Sequence, residues 1–222
     1  MKDLRLTAVG FDIINSSWER IKKNYRNSKQ ILIAASRLAK VYGERAAAQG
    51  VEIEVLDPEL AERQTSKPLA IGVLTGGEIG AAYRLAQECL EVGSAIPWAI
   101  CIATAAPDDI PVKTILSAKP VNFPVRVDTL TGDYTRNQDS MTVATIGDVK
   151  GFEFSMIIIV GCGAKLLPPV DGCAEEAWRH ALRLYVAMTR GRDQVALIYS
   201  GEPSKFLEEM RDDLEWQTEQ DA

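Results

Sequence analysis

Short runs of β-branched and apolar residues alternate along the chain with segments whose apolar positions recur at helical spacing. This alternation is typical of an α/β protein with a mostly parallel sheet flanked by helices. The predicted strands cover 51–56, 69–74, 98–104, 125–130, 141–146, 156–160 and 194–200. The predicted helices cover 28–42, 77–92, 108–118, 175–190 and 203–214.

Two of these helices have clear boundary signals. Ser28 is a suitable N-cap for the first, and Gly43 is expected to end it. Its apolar stripe consists of Ile31, Ala35, Leu38 and Tyr42. The helix over 175–190 is amphipathic, and Gly191 is its predicted C′ cap. Its inward positions are Trp178, Leu182, Tyr185 and Met188.

The chain contains no repeat, no low-complexity segment and no linker long enough to separate two units. We therefore expect a single domain over 1–222, with 1–20 as an N-terminal lead-in. The polar segment 131–140 is a predicted surface loop, and the acidic tail 215–222 is expected to be frayed.

Composition narrows the class of protein. With 46% hydrophobic and 25% charged residues, the chain resembles ordinary globular domains. It has no apolar run of membrane-spanning length and no signal peptide pattern, so we expect a cytoplasmic protein without a membrane partner. A net charge of −6 confines any nucleic-acid contact to a local cleft. No metal site is expected, because the cysteines form no CxxC pair; they are Cys89, Cys101, Cys162 and Cys173.

Three segments carry candidate chemistry, and the first is Asn24–Ser28, directly before a helix. Arg26 could direct a planar, permanently charged guanidinium at a phosphate beside the helix start. The alternative is a surface arginine near an N-cap.

The second segment, 145–154, lies between two predicted strands. Its glycines, Gly147 and Gly151, allow backbone to approach a ligand closely at a strand end. Lys150 offers a charge for a phosphate, and the Glu153 carboxylate could accept from a ribose hydroxyl. The alternative is an ordinary strand–loop–strand in which lysine and glutamate are solvated.

The third segment, 184–192, ends a helix with Arg190 and Arg192. These arginines could complement the negative end of the helix dipole. They could instead reach into an interdomain cleft and stabilise charge on a transferred phosphoryl group, as an arginine finger does.

Together the segments resemble a known family. NYRNSKQIL is similar to helicase motif IV of the UvrD/Rep-type superfamily 1 DNA helicases. TIGDVKGFEF followed by MIIIVG is similar to motif V, and RLYVAMTRGRD to motif VI. The motifs occur in the family's order, and the resemblance covers about residues 20 to 210. It implies the second RecA-like motor domain, a three-layer α/β fold.

The resemblance also implies roles for single residues. Arg26 and Arg190 would be catalytic arginines that reach the γ-phosphate of ATP, while Glu153 would bind the ribose with the Gly151 backbone close by. The single-stranded DNA backbone would be contacted by Thr145 and Lys150. Tyr185 would pack beneath the motif VI arginine instead of binding a ligand.

Three positions depart from the family's pattern. Gly147 replaces the usual motif V histidine, which removes one DNA contact or coupling group. Phe152 replaces leucine, and Gly191 replaces the alanine after Arg190. Segment 131–140 leaves no room for the large accessory insertion, so the chain resembles the compact members.

The chain contains no GxxxxGK[ST] P-loop and no acidic DExx strand end. The resemblance therefore implies that ATP with Mg²⁺ is bound mainly by a P-loop domain absent from this chain, and we expect no ATPase activity from the chain alone. The expected partners are that P-loop domain, in the same parent polypeptide or a separate chain, and single-stranded DNA. The only histidine, His180, is expected on a solvated helix face.

Two other functions remain open. One is a stand-alone helicase-like module that binds protein or DNA without hydrolysis. The other is an unrelated α/β nucleotide-binding enzyme whose motif matches are fortuitous.

Overall fold

The computed structural model describes residues 24–47, 55–130, 137–167 and 174–218. Its strands are β1 Asn24–Ser28, β2 Ala61–Arg63, β3 Leu69–Val73, β4 Ile100–Thr104, β5 Arg126–Thr129, β6 Ser140–Thr145, β7 Phe154–Val160, β8 Gly191–Ser200 and β9 Glu215–Thr218. Its α-helices are α1 Lys29–Ala47, α2 Glu78–Glu91, α3 Val112–Ser117, α4 Ala174–Met188 and α5 Lys205–Glu209. Short 3₁₀ turns cover Pro58–Leu60, Pro97–Ala99 and Arg211–Asp213.

The described residues form a seven-stranded sheet in the order β5-β6-β4-β7-β8-β3-β9, and every pair in it is parallel. A separate parallel pair, β1 and β2, lies at the start of α1. This arrangement confirms the predicted α/β fold, a RecA-like sheet with helices on both faces.

Helices cover the two faces of the sheet because the central strands are apolar on both sides. In β7, Ile157 and Ile159 belong to the core under α1, α4 and α5. The alternate residues Met156, Ile158 and Val160 belong to the core under α2 and α3. Side chains of successive strand residues point to opposite faces, so one strand contributes to both cores. The result is the three-layer arrangement.

Most predicted elements agree with the structure at their centres. The strands predicted at 69–74, 125–130 and 141–146 differ by one residue at most at each end. Ser28 caps α1 as expected, because its Oγ accepts from the Ile31 backbone N–H at 3.3 Å. The predicted stripe of α1 is fully or almost fully buried: Ile31, Ala35, Leu38 and Tyr42.

Two glycine predictions were wrong. Helix α1 does not end at Gly43 but continues to Ala47, and a Cβ at Gly43 would lie 3.5 Å from the Trp178 ring of α4. Gly191 is not a C′ cap, since its φ is not positive and it begins β8. Neither glycine turns the chain. At Gly191 the missing side chain permits close packing, whereas a Cβ at Gly43 would make only an ordinary van der Waals contact.

The prediction of a frayed tail over 215–222 was wrong for 215–218, which form the edge strand β9 paired with β3. Trp216 explains the ordering, because its ring packs at 5.9 Å from Tyr199 and under the Arg211 guanidinium at 4.9 Å. Residues 219–222 lie outside the described part.

Other predicted element boundaries also differ from those in the structure. The helix predicted at 203–214 is α5 followed by a 3₁₀ turn, and the one at 108–118 is reduced to α3. Residues 55 and 56 are not in a strand, while 51–54 lie outside the described residues. The lead-in 1–20 and loop residues 131–136 lie outside them as well. Within the described residues, no helix has the length and apolarity needed to cross a bilayer.

Gly191→Ala should destabilise the fold. An added Cβ would lie 2.8 Å from Val195 Cγ2, 2.9 Å from the Gln194 carbonyl oxygen and 3.0 Å from Ile157 Cγ2. Overpacking of this kind costs about 1 to 3 kcal/mol, which thermal unfolding should report as a lower Tm.

Gly80→Ala is the matched control. Gly80 lies in the first turn of α2, and a Cβ there meets only Arg84 Nη1 at 3.5 Å. Removing a helical glycine should raise the free energy of unfolding by about 0.5 to 1 kcal/mol. Equal Tm changes in the two variants would contradict the packing account.

Candidate functional site

Residues from three distant segments meet at the amino edge of the sheet, where the parallel strands begin. Glu153 directly precedes β7, and Arg190 directly precedes β8. These strands are neighbours, and Phe154 pairs with Gly191 at their starts. Arg26 lies in β1, which contacts the beginning of β8. Parallel pairing places Glu153 and Arg190 side by side, and the contact of β1 with β8 brings Arg26 into the same cluster.

The closest contact in this cluster is an ion pair. Arg26 Nε lies 2.9 Å from Glu153 Oε1, with the two side chains 34% and 46% exposed. Arg26 Nη2 also donates a long hydrogen bond, 3.5 Å, to the Phe152 carbonyl oxygen. An ion pair this accessible contributes little to stability, because water screens it. It does orient Arg26 toward the start of β7.

Arg190 is the more enclosed of the two arginines. Its Nε donates to the Val186 carbonyl oxygen at 3.1 Å, and its Nη2 donates to Thr189 Oγ1 at 3.3 Å. Burial lowers the pKa of Arg190, the positive charge of Arg26 lowers it further, and Glu153 opposes the shift. An arginine nevertheless stays charged at neutral pH. The cluster therefore holds two guanidinium groups and one carboxylate, an arrangement that favours an anionic ligand.

Asn27 fixes the position of β1, and the sequence reasoning missed it. Its side chain is fully buried, and Nδ2 donates to the carbonyl oxygens of Thr189 and Gly191, both at 2.8 Å. These carbonyls flank Arg190 in the chain. The only available signal was a polar amide next to Arg26 in NYRNS, which does not predict so distant a contact.

Tyr185 is buried in α4, the helix that precedes Arg190. Its hydroxyl accepts from the Leu56 backbone N–H at 3.0 Å, and burial raises its pKa. The charge of Arg190 acts on this hydroxyl, so the two side chains are near each other. That Tyr185 packs beneath the motif VI arginine stays a prediction.

The segment 145–154 joins the two edges of the sheet. Thr145 ends β6 level with Thr104, which pairs with Val160 at the carboxyl edge. Glu153 lies seven residues before Val160, roughly 23 Å away at about 3.3 Å per strand residue. Thr145 therefore lies at the carboxyl end of its strand, whereas Glu153 lies before the amino end of the next strand in the sequence. The structure therefore separates Thr145, assigned to DNA, from Glu153, assigned to the nucleotide.

The Thr145 hydroxyl is already engaged at the carboxyl edge. Thr145 Oγ1 donates to Asp148 Oδ2 at 2.7 Å and accepts from the backbone N–H groups of Gly147 and Asp148. Lys150 is exposed on the crossover, and Gly151 beside it has a φ of +93°. The structure does not bring Thr145 and Lys150 into contact with each other.

The cysteines and acidic residues offer no metal ligand cluster within the described ranges. Cys89, Cys101 and Cys162 are buried free thiols, and burial raises the pKa of each. Cys173 lies outside the described residues.

Comparison with known proteins gives a fold relationship without a sequence relationship. No family model and no curated protein sequence matches the chain. The C-terminal domain of a possible DNA helicase from Lactobacillus plantarum WCFS1 has a similar structure, with a TM-score of 0.60 and 14% identity over 87% of this chain and 98% of that one. This chain has the fold of a helicase C-terminal domain.

A second solved structure is more distant. The SWI2/SNF2 ATPase core from Sulfolobus solfataricus, in complex with double-stranded DNA, aligns with a TM-score of 0.39 and 12% identity. The alignment covers 82% of this chain and 33% of that protein.

Asn27→Ala should lower the free energy of unfolding by about 1 to 3 kcal/mol, because two buried carbonyl groups lose their donor. Asn27→Asp should cost more, since a carboxylate would face the same two carbonyl oxygens. Urea unfolding measures both variants. An aspartate variant as stable as the parent chain would contradict the assigned contacts.

Gly147→His should leave stability within about 0.5 kcal/mol. Gly147 is exposed, its φ is not positive, and a Cβ there meets only Thr145 Oγ1 at 3.5 Å. Gly151→His is the control, because its φ of +93° disfavours any side chain by roughly 1 to 2 kcal/mol. Thermal unfolding of both variants checks the difference, and a large loss at Gly147 would refute the steric account.

Proposed function

We propose that this chain is the second motor domain of an ATP-dependent DNA helicase or translocase of the UvrD/Rep type. The observation that carries the proposal is the cluster of Arg26, Glu153 and Arg190. These are the residues to which motifs IV, V and VI assign nucleotide contacts, and they meet although they lie more than 30 residues apart in the sequence. The helicase C-terminal fold of the chain supports the same function.

The cluster fits part of an ATP site. Two guanidinium groups suit the negative charge of a triphosphate, and a carboxylate suits ribose hydroxyls. Of the five N–H donors of Arg26, one on Nη2 makes a long hydrogen bond, and Nε lies at ion-pair distance from Glu153 without forming a hydrogen bond. A P-loop domain would supply the remaining phosphate contacts and the Mg²⁺, which neutralises charge on the phosphates.

In this proposal Arg190 and Arg26 act as catalytic arginines across an interdomain cleft. Arg190 is oriented by Val186 and Thr189 on its own helix, so its guanidinium needs little rearrangement to stabilise charge. When the exposed ion pair between Arg26 and Glu153 loosens, the Arg26 guanidinium moves toward the same phosphate as Arg190. Glu153 then accepts from the ribose, with the Gly151 backbone close by.

Single-stranded DNA would bind from the carboxyl edge, at Thr145, onto the exposed crossover, at Lys150. Lys150 is exposed and carries the charge for a backbone phosphate, a contact that is independent of sequence and sensitive to salt. Thr145 would contact the DNA backbone from its position at the end of β6. The crossover between Thr145 and Glu153 gives the two ligands a short covalent connection, so cleft closure at one edge can shift the DNA contacts at the other.

Arg190→Ala should reduce kcat for ATP hydrolysis by about 10³- to 10⁵-fold, the range measured for arginine fingers. The measurement belongs in the polypeptide or complex that joins this domain to a P-loop domain. Arg192→Ala is the control: it removes the same charge two residues away from an exposed position. Normal hydrolysis by the Arg190 variant would show that the assigned role is wrong.

A second candidate, a helicase-like binding module without hydrolysis, is favoured by one observation. Asp148 places a carboxylate 2.7 Å from Thr145 Oγ1, where the proposed motor would contact a phosphate. An antibody against this domain would distinguish the two by the size of the native polypeptide. A product well above 24.4 kDa that contains a P-loop favours the motor. A 24.4 kDa product with no P-loop protein bound favours the module.

A further inference from the structure

A cavity of about 510 Å³ opens at the carboxyl edge of the sheet, between the ends of β3 and β8. Residues 75 and 76 line it from the loop after β3, and residues 200–202 line it at the end of β8. The cavity is separate from the amino-edge cluster, and neither Thr145 nor Lys150 lines it.

The two strands beside this cavity are parallel neighbours whose connections leave the sheet on opposite faces. Strand β3 continues into α2, which packs on the same core as α3, whereas β8 continues into α5, which packs on the core under α1 and α4. In open parallel sheets such a divergence leaves a crevice outside the strand ends, where ligands usually bind. The topology therefore favours a ligand at this cavity.

The size and apolar walls of the cavity suit a small organic molecule. Its volume lies in the range of about 300 to 1,000 Å³ that is usual for small-molecule sites. Ile79 of α2, Ile110 after β4 and Leu166 after β7 line it, and each is half-buried. One lysine or arginine side chain from a partner protein would fill only part of this volume.

The charges that line the cavity are mainly negative. Asp109 and Glu202 contribute exposed carboxylates, and Glu78 contributes a buried one. Lys165 is the basic residue of the lining, and it is exposed. Three carboxylates against one ammonium group leave the cavity negative, so it repels a phosphate and attracts a cation.

Glu78 brings its charge to the cavity wall from a buried position. It is 3% exposed, and its Oε2 accepts from the Gly161 backbone N–H at 2.9 Å. Its Oε1 has no hydrogen-bond partner among the described residues and is itself covered, so a ligand meets this charge through space and not through a hydrogen bond. The positive end of helix α2, which Glu78 begins, offsets part of the charge. A cation in the adjoining cavity would offset more, because charges interact strongly where water is excluded.

We propose that this cavity binds a small organic cation, with its charged nitrogen among the three carboxylates and its apolar body against the isoleucine and leucine side chains. The ligand class is a primary amine or a guanidine on an aliphatic or aromatic body. This binding depends on neither ATP nor DNA, so it goes beyond the proposed function, which stands whether or not an amine binds.

Methyl NMR spectra of the 222-residue chain test the binding directly. The probes are tryptamine and hexylamine, and the controls are tryptophol and hexanol, in which a hydroxyl replaces the ammonium group. The methyl signals of Ile79 and Ile110, assigned through Ile79→Val and Ile110→Val, should shift saturably with at least one amine. The matching alcohol should bind at least about five-fold more weakly. Alcohols that bind as tightly as the amines, or failure of both amines to move these signals, would overturn the proposal.

Isosteric substitutions test the exposed carboxylates. Asp109→Asn and Glu202→Gln should each weaken amine binding by roughly two- to five-fold and leave the binding of the alcohols unchanged. Asp108→Asn is the matched control, because Asp108 is exposed one residue away but does not line the cavity. Equal weakening by the Asp108 and Asp109 variants would leave only a general charge effect, and the assignment would fail.

Glu78→Gln tests the buried charge, because glutamine keeps an oxygen that can accept from the Gly161 N–H. This variant should weaken amine binding by at least about five-fold. Unchanged amine affinity, with the methyl spectrum of the folded chain retained, would contradict the proposal.

A capped lysine, N-acetyl-lysine methylamide, distinguishes a free ligand from the side chain of a partner protein. It should bind more weakly than hexylamine, because its two amide groups would lose water against apolar walls. Tighter binding of the capped lysine would assign the cation to a protein partner and overturn the small-molecule ligand.

Discussion

The parallel pairing of the seven strands is the constraint on which the site depends. In a parallel sheet all strands begin at one edge and end at the other, so every connection must return across a face. Residues just before strands gather at the amino edge, and residues just after strands gather at the carboxyl edge. Glu153 and Arg190 fall in the first group and Thr145 in the second. The separation of the two candidate ligand sites follows from this rule.

The amino-edge cluster is held by hydrogen bonds that bind no ligand themselves. Asn27 joins β1 to the turn around Arg190 through two buried bonds, and this contact brings the second arginine beside the first. Two guanidinium groups this close repel each other, and Glu153 offsets only part of the charge. The two buried hydrogen bonds of Asn27 therefore hold Arg26 beside Arg190 against this repulsion.

Helix α4 offers a second connection between the edges. His180 and Arg183 line a cavity of about 250 Å³ between α4 and the end of β6, at the carboxyl edge. Arg190 follows the other end of the helix, at the amino edge. At about 1.5 Å rise per residue, the ten residues from His180 to Arg190 span roughly 15 Å. Helix α4 and the crossover between β6 and β7 thus both join the carboxyl edge to the amino edge. Movement of the DNA site relative to the nucleotide site would therefore involve both elements.

The sequence by itself determined the fold class and the candidate residues. Apolar periodicity located the central strands and the buried face of α1, because burial on a sheet leaves a pattern that is local in the chain. The arginines and Glu153 were identifiable from their segments. Only the tertiary structure decided which of these residues meet. The order of the strands, and the edge of the sheet at which a residue lies, depend on pairing between segments that are distant in the sequence. The role of Asn27 was also set by tertiary structure, because the carbonyl groups that it binds lie more than 100 residues away in the sequence. The close packing at Gly191 depends in the same way on Ile157 of the neighbouring strand. Residues 215–218 form a strand because they pair with β3 and because Trp216 packs on Tyr199. The sequence did not predict this strand, since an edge strand rich in polar residues shows no local pattern of burial.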